Sequence, residues 1–305
     1  MSLINMLSEN TKIPRSDLER YALTCPRRYK VYTIPKRNGT GMRTIAQPSA
    51  PVKSLQREVI KILGEFCPVH ESATGYREGV SILDNARAHC KNPYLLKMDF
   101  SNFFPSLPER EVLSHLMEHC DLIEKDDVKF VASIIFRKSA TSRFELSIGA
   151  PSSPFISNTF MYNFDCQIYK IMKEMGISYT RYADDMSFST STKDLLFKIP
   201  EVVSGQILCP QYNILSINEK KTVFSSKKHN RHVTGLVLTN EGGVSIGRDR
   251  KREIRTLAYL YSIGQLDVEK TNYLRGLLAH AKHIESNIWD TVKRKYGLTD
   301  EFFKQ

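Results

Sequence analysis

Apolar and polar residues alternate on both sides of Asn38-Gly39 in "YKVYTIPKRNGTGMRTIAQPS" (29–49), which predicts a β-hairpin with a basic tip. Before it, residues 16–24 have helical spacing, with Ser16 placed as an N-cap. After it, "VKSLQREVIKILGEF" repeats apolar residues at Leu55, Val59, Ile62, Leu63 and Phe66, the period of a helix. "YLLKMDFSNFF" (94–104) is dense in large apolar residues and stops at Pro105, as a buried strand would. "REVLSHLMEHC" and "KDDVKFVASIIF" read as helices, and residues 154–176 as one long helix closed by Gly176. Strands are expected on both sides of Asp184, then a helix within 193–205. Short strands and turns follow in "NILSINEKKTVFSS" and "HVTGLVLTNEGGVSIG", and a helical pattern runs from 248 onward. This interleaving predicts an α+β fold with a sheet core flanked by helices.

Net charge changes the picture. The 305 residues carry a formal +11, which favours a polyanionic partner, and the charge is concentrated in "EKKTVFSSKKHNRH" (219–232) and "GRDRKREIR" (247–255). Clustering of this kind suits a surface that tracks phosphates. No apolar run is long enough to span a membrane, and the N-terminus lacks a secretory pattern. Six scattered cysteines without CxxC spacing read as reduced thiols of a cytoplasmic protein. His280 and His283 read as a solvated helix face.

"RYADDMSFST" (181–190) places Asp184 beside Asp185 between two strand-like runs. Neighbours on a strand point to opposite faces, so two adjacent carboxylates converge only at a tight turn. Convergent carboxylates repel unless a cation lies between them, and hard oxygen ligands suit magnesium. Asp99, ending an apolar strand, supplies a third carboxylate whose burial would be costly without such a purpose. Two ions held this way stabilise the attacking and leaving oxygens of a phosphoryl transfer.

"YADD", with "MDFSNFF" some 80 residues earlier, "GAPSSP" between them and "NEKKT" after, resembles the palm of reverse transcriptases over about residues 28–240. The resemblance implies a right-hand polymerase: an N-terminal helical extension (1–27), fingers and palm (28–240) and a helical thumb (241–305). It makes Asp99, Asp184 and Asp185 the catalytic, two-Mg²⁺ triad, assisted by the Phe100 carbonyl. Phe104 would lie under the incoming sugar and select deoxynucleotides. Lys36 and Arg43 of the basic hairpin, with Gly149, would contact the dNTP, and Lys221 or its neighbour Lys220 would protonate pyrophosphate. One departure stands out: Ser147-Ile148 replaces the usual Pro-Gln before Gly149, which removes an amide from the nucleotide site.

"DNARAHC", with Asn85, Ala86 and His89, and "HVTGLVL", with Val233, Thr234 and Gly235, resemble the signatures of bacterial retron reverse transcriptases. The resemblance implies RNA contacts at Asn85, His89, Val233, Thr234 and Gly235. Phosphate contacts are expected from Arg248, Arg250, Lys251, Arg252 and Arg255. It also implies a cognate noncoding RNA (msr-msd), priming from an internal guanosine 2′-hydroxyl, a branched msDNA that stays bound, and an accessory effector in anti-phage defence. Two other readings stand beside it. One is another defence or abortive-infection reverse transcriptase; the other is a scaffold or antitoxin that holds RNA–DNA against an effector.

Overall fold

A computed structural model of the chain describes residues 2–36 and 41–303; the expected Asn38-Gly39 turn lies outside the described residues. Two helices, α1 (Leu3–Thr11) and α2 (Arg15–Ala22), precede the hairpin β1 (Tyr29–Pro35) and β2 (Met42–Pro48). Pro14, not Ser16, flanks the start of α2, and Ser16 lies inside it: proline's fixed φ already sets the entry. Next come α3 (Ala50–Leu63), α4 (Ile82–Arg87) and β3 (Tyr94–Asp99), then α5 (Phe103–Ser106), α6 (Glu109–His119) and α7 (Val128–Ile135). α3 ends before Phe66, which is exposed rather than on its buried face. A small hairpin that the pattern did not announce, β4 (Arg137–Lys138) and β5 (Phe144–Glu145), leads into α8 (Ser152–Phe160) and α9 (Tyr162–Glu174). β6 (Ser178–Tyr182), β7 (Asp185–Thr190), α10 (Ile199–Ile207) and β8 (Val223–Ser226) follow. The chain closes with β9 (Arg231–Val233), β10 (Leu236–Leu238), β11 (Val244–Ser245) and the helices α11 (Arg248–Ser262), α12 (Val268–Ile284) and α13 (Ser286–Tyr296).

The expected single helix 154–176 is two helices. Its ladder is interrupted by the Tyr212 hydroxyl, which accepts from the Phe164 N–H (3.2 Å) and donates to the Phe160 carbonyl (3.4 Å). Those two groups would otherwise bond each other across one turn, so the inserted hydroxyl opens the helix at Met161. The C-terminal end is as read: Gly176 is left-handed (φ 67), and the Ile177 N–H reaches back to Met172 O. The expected strand 94–104 stops at Asp99, because Asn102 turns left-handed (φ 51) and the chain enters α5.

The central sheet is antiparallel in the order β6-β7-β3-β8. Its inner strands are almost wholly buried, and α8, α9 and α10 add Ile156, Phe160, Phe164, Ile168, Met172 and Val203 to one continuous core. Each such side chain, taken fully from water, contributes roughly 1.5–3 kcal/mol. A second core joins α11, α12 and α13 to Leu83 and Ala86 of α4 and to Val233, Leu236 and Leu238 of the β9-β10 hairpin. Apolar packing therefore runs across residue 240. The β1-β2 hairpin is mostly exposed and, among the described residues, pairs as a sheet only within itself. At its base, the Ala46 N–H donates to Ile148 O (2.9 Å) and the Ser147 hydroxyl donates to Ala46 O (3.1 Å). The two residues that depart from Pro-Gln thus tether a hairpin that would be marginal alone. No described helix is long and apolar enough to cross a membrane.

Candidate active site

The sheet's register creates the site. Asp99, the last residue of β3, is the cross-strand partner of Asp185, the first residue of β7. Tyr182 pairs with Asp185, so Ala183-Asp184 is a two-residue turn. Ala183 takes a left-handed φ of 54, a position usually filled by glycine. The Asp184 carbonyl accepts from the Phe100 N–H (3.1 Å), locking the turn to the end of β3. The carboxylate oxygens of Asp99, Asp184 and Asp185 then lie within 4.8 Å of one another. Asp99 is buried and Asp184 half-buried, both lining the cleft above, while the Asp185 residue keeps part of its surface in solvent with its carboxyl turned toward the other two.

Electrostatics follow from this convergence. Burial, then the charge of Asp184, then the contact with Asp99 push the Asp185 carboxyl up to about 7. Burial and the charge of Asp99 also raise Asp184, opposed by Lys221 and Arg43. The Lys221 ammonium bonds both oxygens of Asp99 at 2.9 and 2.8 Å. Burial pulls Lys221 down, but the hydrogen bonds and charges of the aspartates outweigh it and leave its pKa raised. Three hard carboxylates at this spacing, one of them reluctant to ionise, are a donor set that a divalent cation would relieve.

A pH dependence is expected. A carboxyl raised in the folded chain keeps its proton to higher pH there than in the unfolded chain. Its ionisation therefore costs stability, absent at low pH and complete above about 7. A cation needs the ionised form, so the half-saturating concentration of divalent metal should climb as pH falls through about 7. Titrating metal against DNA synthesis at several pH values checks this; a flat profile would place the metal elsewhere.

Above the carboxylates lies a cleft of about 340 Å³. Lys36, Arg43, Tyr76, Phe104, Ser147, Ile148 and Lys221 are among its walls, and Phe100 also lines it. Arg43 sits opposite Ile34 in the hairpin, and its charge acts on Asp184; Lys36 follows β1 and lines the same cleft. Gly149 is beside the cleft with φ 115, where a Cβ would approach Ala46 O to 3.2 Å. Lys221, rather than its neighbour Lys220, bonds the triad.

Beneath the turn is an arrangement the sequence reading missed. Arg181 and Asp165 are fully buried and paired at 2.5 Å. The Tyr179 hydroxyl donates to Asp165 (2.7 Å), and Arg181 donates to Ala183 O (2.9 Å) and to Asn158 Oδ1 (3.3 Å). The guanidinium therefore holds the strained alanine of the turn and ties it to α8. Gly75 packs against the same turn: a Cβ there would stand 3.0 Å from Ala183 N. A signal existed, because Asp165 falls on the apolar face of α9 with Phe164, Ile168 and Met172.

The signature residues assigned to RNA are placed differently from the expectation. Asn85 and His89 are buried at 1% and 0% exposure. The Asn92 amide donates to Ser189 Oγ, Ser189 lies 2.8 Å from His89 Nδ1, and His89 Nε2 lies 2.7 Å from Thr180 Oγ1, which donates to Asn85 Oδ1. This one-way chain requires the Nε2–H tautomer, and burial pushes His89 down to about 3, keeping it neutral. Both residues fasten α4 behind β6 and β7 and offer no surface to RNA. Val233 is buried as well. Thr234 and Gly235 form the β9-β10 turn, both at positive φ (47 and 83); the Thr234 hydroxyl caps Ile82 O (3.3 Å), and Gly235 is exposed. On α11, Arg248, Arg252 and Arg255 are exposed, whereas Lys251 is bound to Glu285 (2.9 Å) and Arg250 to Glu253 (2.9 Å). Arg231, from the basic stretch, is buried, with its guanidinium on Thr239 O (2.8 Å). His280 and His283 are exposed on α12, and all six cysteines are free thiols.

Comparison with known proteins meets this geometry. Residues 34–238 match the family described as reverse transcriptase (RNA-dependent DNA polymerase). The retron Ec83 reverse transcriptase of Escherichia coli is 42% identical over 272 residues, covering 88% of this chain and 87% of that one. The chain belongs to the bacterial retron reverse transcriptases. It is therefore an RNA-directed DNA polymerase, of a family that uses divalent metal ions. The retron Ec86 reverse transcriptase of Escherichia coli is 31% identical over 307 residues, covering 97% of this chain and 91% of its own. Apo telomerase from Candida tropicalis shares the fold at TM-score 0.52 and 14% identity, over 97% of this chain and 63% of that longer one. The right-hand polymerase fold of the retron reverse transcriptase follows.

Proposed function

We propose that this enzyme copies part of a structured noncoding RNA encoded beside it into msDNA. Synthesis starts from the 2′-hydroxyl of an internal guanosine, and the branched product stays bound. The observation that carries the reading is the convergence of Asp99, Asp184 and Asp185 below a basic cleft, in a chain so similar to a retron reverse transcriptase. Two Mg²⁺ ions bound there would activate the attacking hydroxyl and neutralise the departing pyrophosphate. Asp99, Asp184 and Asp185 would hold them, helped by the Phe100 carbonyl. Lys36 and Arg43 offer charge-assisted contacts to the triphosphate. Lys221 is the nearer of the two candidate lysines to donate a proton to pyrophosphate. Residues 1–27 extend the fingers and palm of 28–240, and 241–305 serve as thumb. Arg248, Arg252 and Arg255, on one face of α11, grip phosphates, and the exposed Gly235 turn approaches RNA backbone. The complex acts in the cytoplasm with an effector in anti-phage defence.

Phe104 packs against Phe103 (5.5 Å between ring centroids) at the cleft wall. In the proposed pose it blocks a 2′-hydroxyl. Phe104→Ala is expected to raise ribonucleotide incorporation relative to deoxynucleotide by at least roughly tenfold. Single-nucleotide extension with paired dNTP and NTP measures it, and an unchanged ratio would remove Phe104 from sugar selection.

The function is tested by expressing the chain with its upstream flanking DNA and resolving extracted nucleic acid on a denaturing gel, with and without RNase and debranching enzyme. A short DNA whose mobility changes on debranching supports the reading. Unbranched DNA would point to another defence reverse transcriptase, and no DNA to a scaffold.

A further inference from the structure

We propose that His115, Glu118 and His119 form a binding site for a divalent transition metal of zinc's class, separate from the catalytic carboxylates. All three lie on α6 at i, i+3 and i+4, the spacing that puts side chains on one helix face. One ligand atom from each falls within 4.8 Å of the other two, and the imidazole centroids are 4.5 Å apart. None of the three lines the polymerase cleft.

The second observation is an unmet need. His115 is 2% exposed, and its Nε2 lies 3.2 Å from Thr159 Oγ1, which leaves Nδ1 free. Among the described residues, that buried Nδ1 has no hydrogen-bond partner, and neither has the buried Nε2 of His119. A buried polar atom left unsatisfied is costly, and here two imidazole nitrogens share the condition on adjacent turns. A metal accepts both lone pairs at once. Two imidazoles and a carboxylate are the donors of zinc sites and a poor set for magnesium, which prefers oxygen alone. Glu118 is exposed, which gives the ion an entry path and leaves a fourth position to water.

Thr159 supplies the outer partner that orients His115. It lies on α8, the helix that starts three residues after Gly149 and carries Asn158 of the Arg181 network. The bound metal would therefore clasp α6 to the helix that supports the catalytic turn.

The test uses the full chain, stripped with chelator and held in excess Mg²⁺ so that the aspartates are occupied. Zn²⁺ is then titrated by calorimetry, with thermal unfolding alongside and Co²⁺ absorption as a report of tetrahedral N/O ligation. The expected result is about one equivalent of zinc per chain, a rise in unfolding temperature, and a loss of at least roughly tenfold in affinity in His119→Gln. Glu118→Gln, at an exposed position, should weaken binding without disturbing the fold and covers the case in which the histidine variant misfolds. Absence of zinc binding in the wild type overturns the proposal. Zinc retained undiminished in both variants overturns it equally, by placing the ion elsewhere.

Discussion

Replacing Asp185 with asparagine is expected to reduce RNA-templated DNA synthesis by roughly a thousandfold or more, the loss of several kcal/mol of transition-state stabilisation. The substitution keeps the side chain's shape and removes one of three convergent charges. Folding stability should move the other way. Asp185 is pushed up to about 7 by burial and by its neighbours, so ionising it near neutral pH costs the folded state. Without metal, the asparagine variant should be at least as stable as the wild type, most clearly above about pH 7. Primer extension on an RNA template and urea unfolding in chelator measure the two halves. Activity preserved in the variant would sink the triad. Lost activity together with lost stability would instead mean that Asp185 is structural.

The second large effect lies under the turn. Arg181→Met leaves the Asp165 carboxylate fully buried with the Tyr179 hydroxyl as its remaining hydrogen-bond donor of those described, which should cost about 3–5 kcal/mol. Adding Asp165→Leu removes the stranded charge and should return most of that stability, since a buried pair replaced by apolar side chains is often neutral. Polymerase activity should not return with it. Ala183 O loses its donor in both variants, and the strained turn that carries Asp184 is no longer held. Urea unfolding of the wild type, both single variants and the double variant gives the coupling energy. If the double variant is fully active, the guanidinium serves folding alone and does not position the turn.

What was legible in the sequence was local. The carboxylate turn, the apolar strand that carries Asp99 (though not its end there) and the basic hairpin each declare themselves within ten or so residues, because alternation and turn chemistry act at that range. The break at Met161 was not legible: it depends on a hydroxyl some 50 residues away in sequence, and nothing in 154–176 announces it. Asn85 and His89 illustrate a different limit. A short helix with one histidine does not say whether that histidine faces water or core, and four partners from α4, β6, β7 and the loop before β3 decide the matter. The same holds for Lys251, whose partner Glu285 follows a whole helix later. Arg181 was half legible, since an arginine among "SYTRYA" needs a counter-charge, and Asp165 sits on the buried face of the preceding helix.

The most direct test of the central claim is to locate the metal. Crystals of the chain soaked with Mn²⁺ and a non-hydrolysable deoxynucleotide would be measured at the manganese absorption edge. The expected result is anomalous density bounded by Asp99, Asp184 and Asp185, with the triphosphate turned toward Lys36 and Arg43. Manganese absent from those carboxylates while the nucleotide occupies the cleft would contradict it.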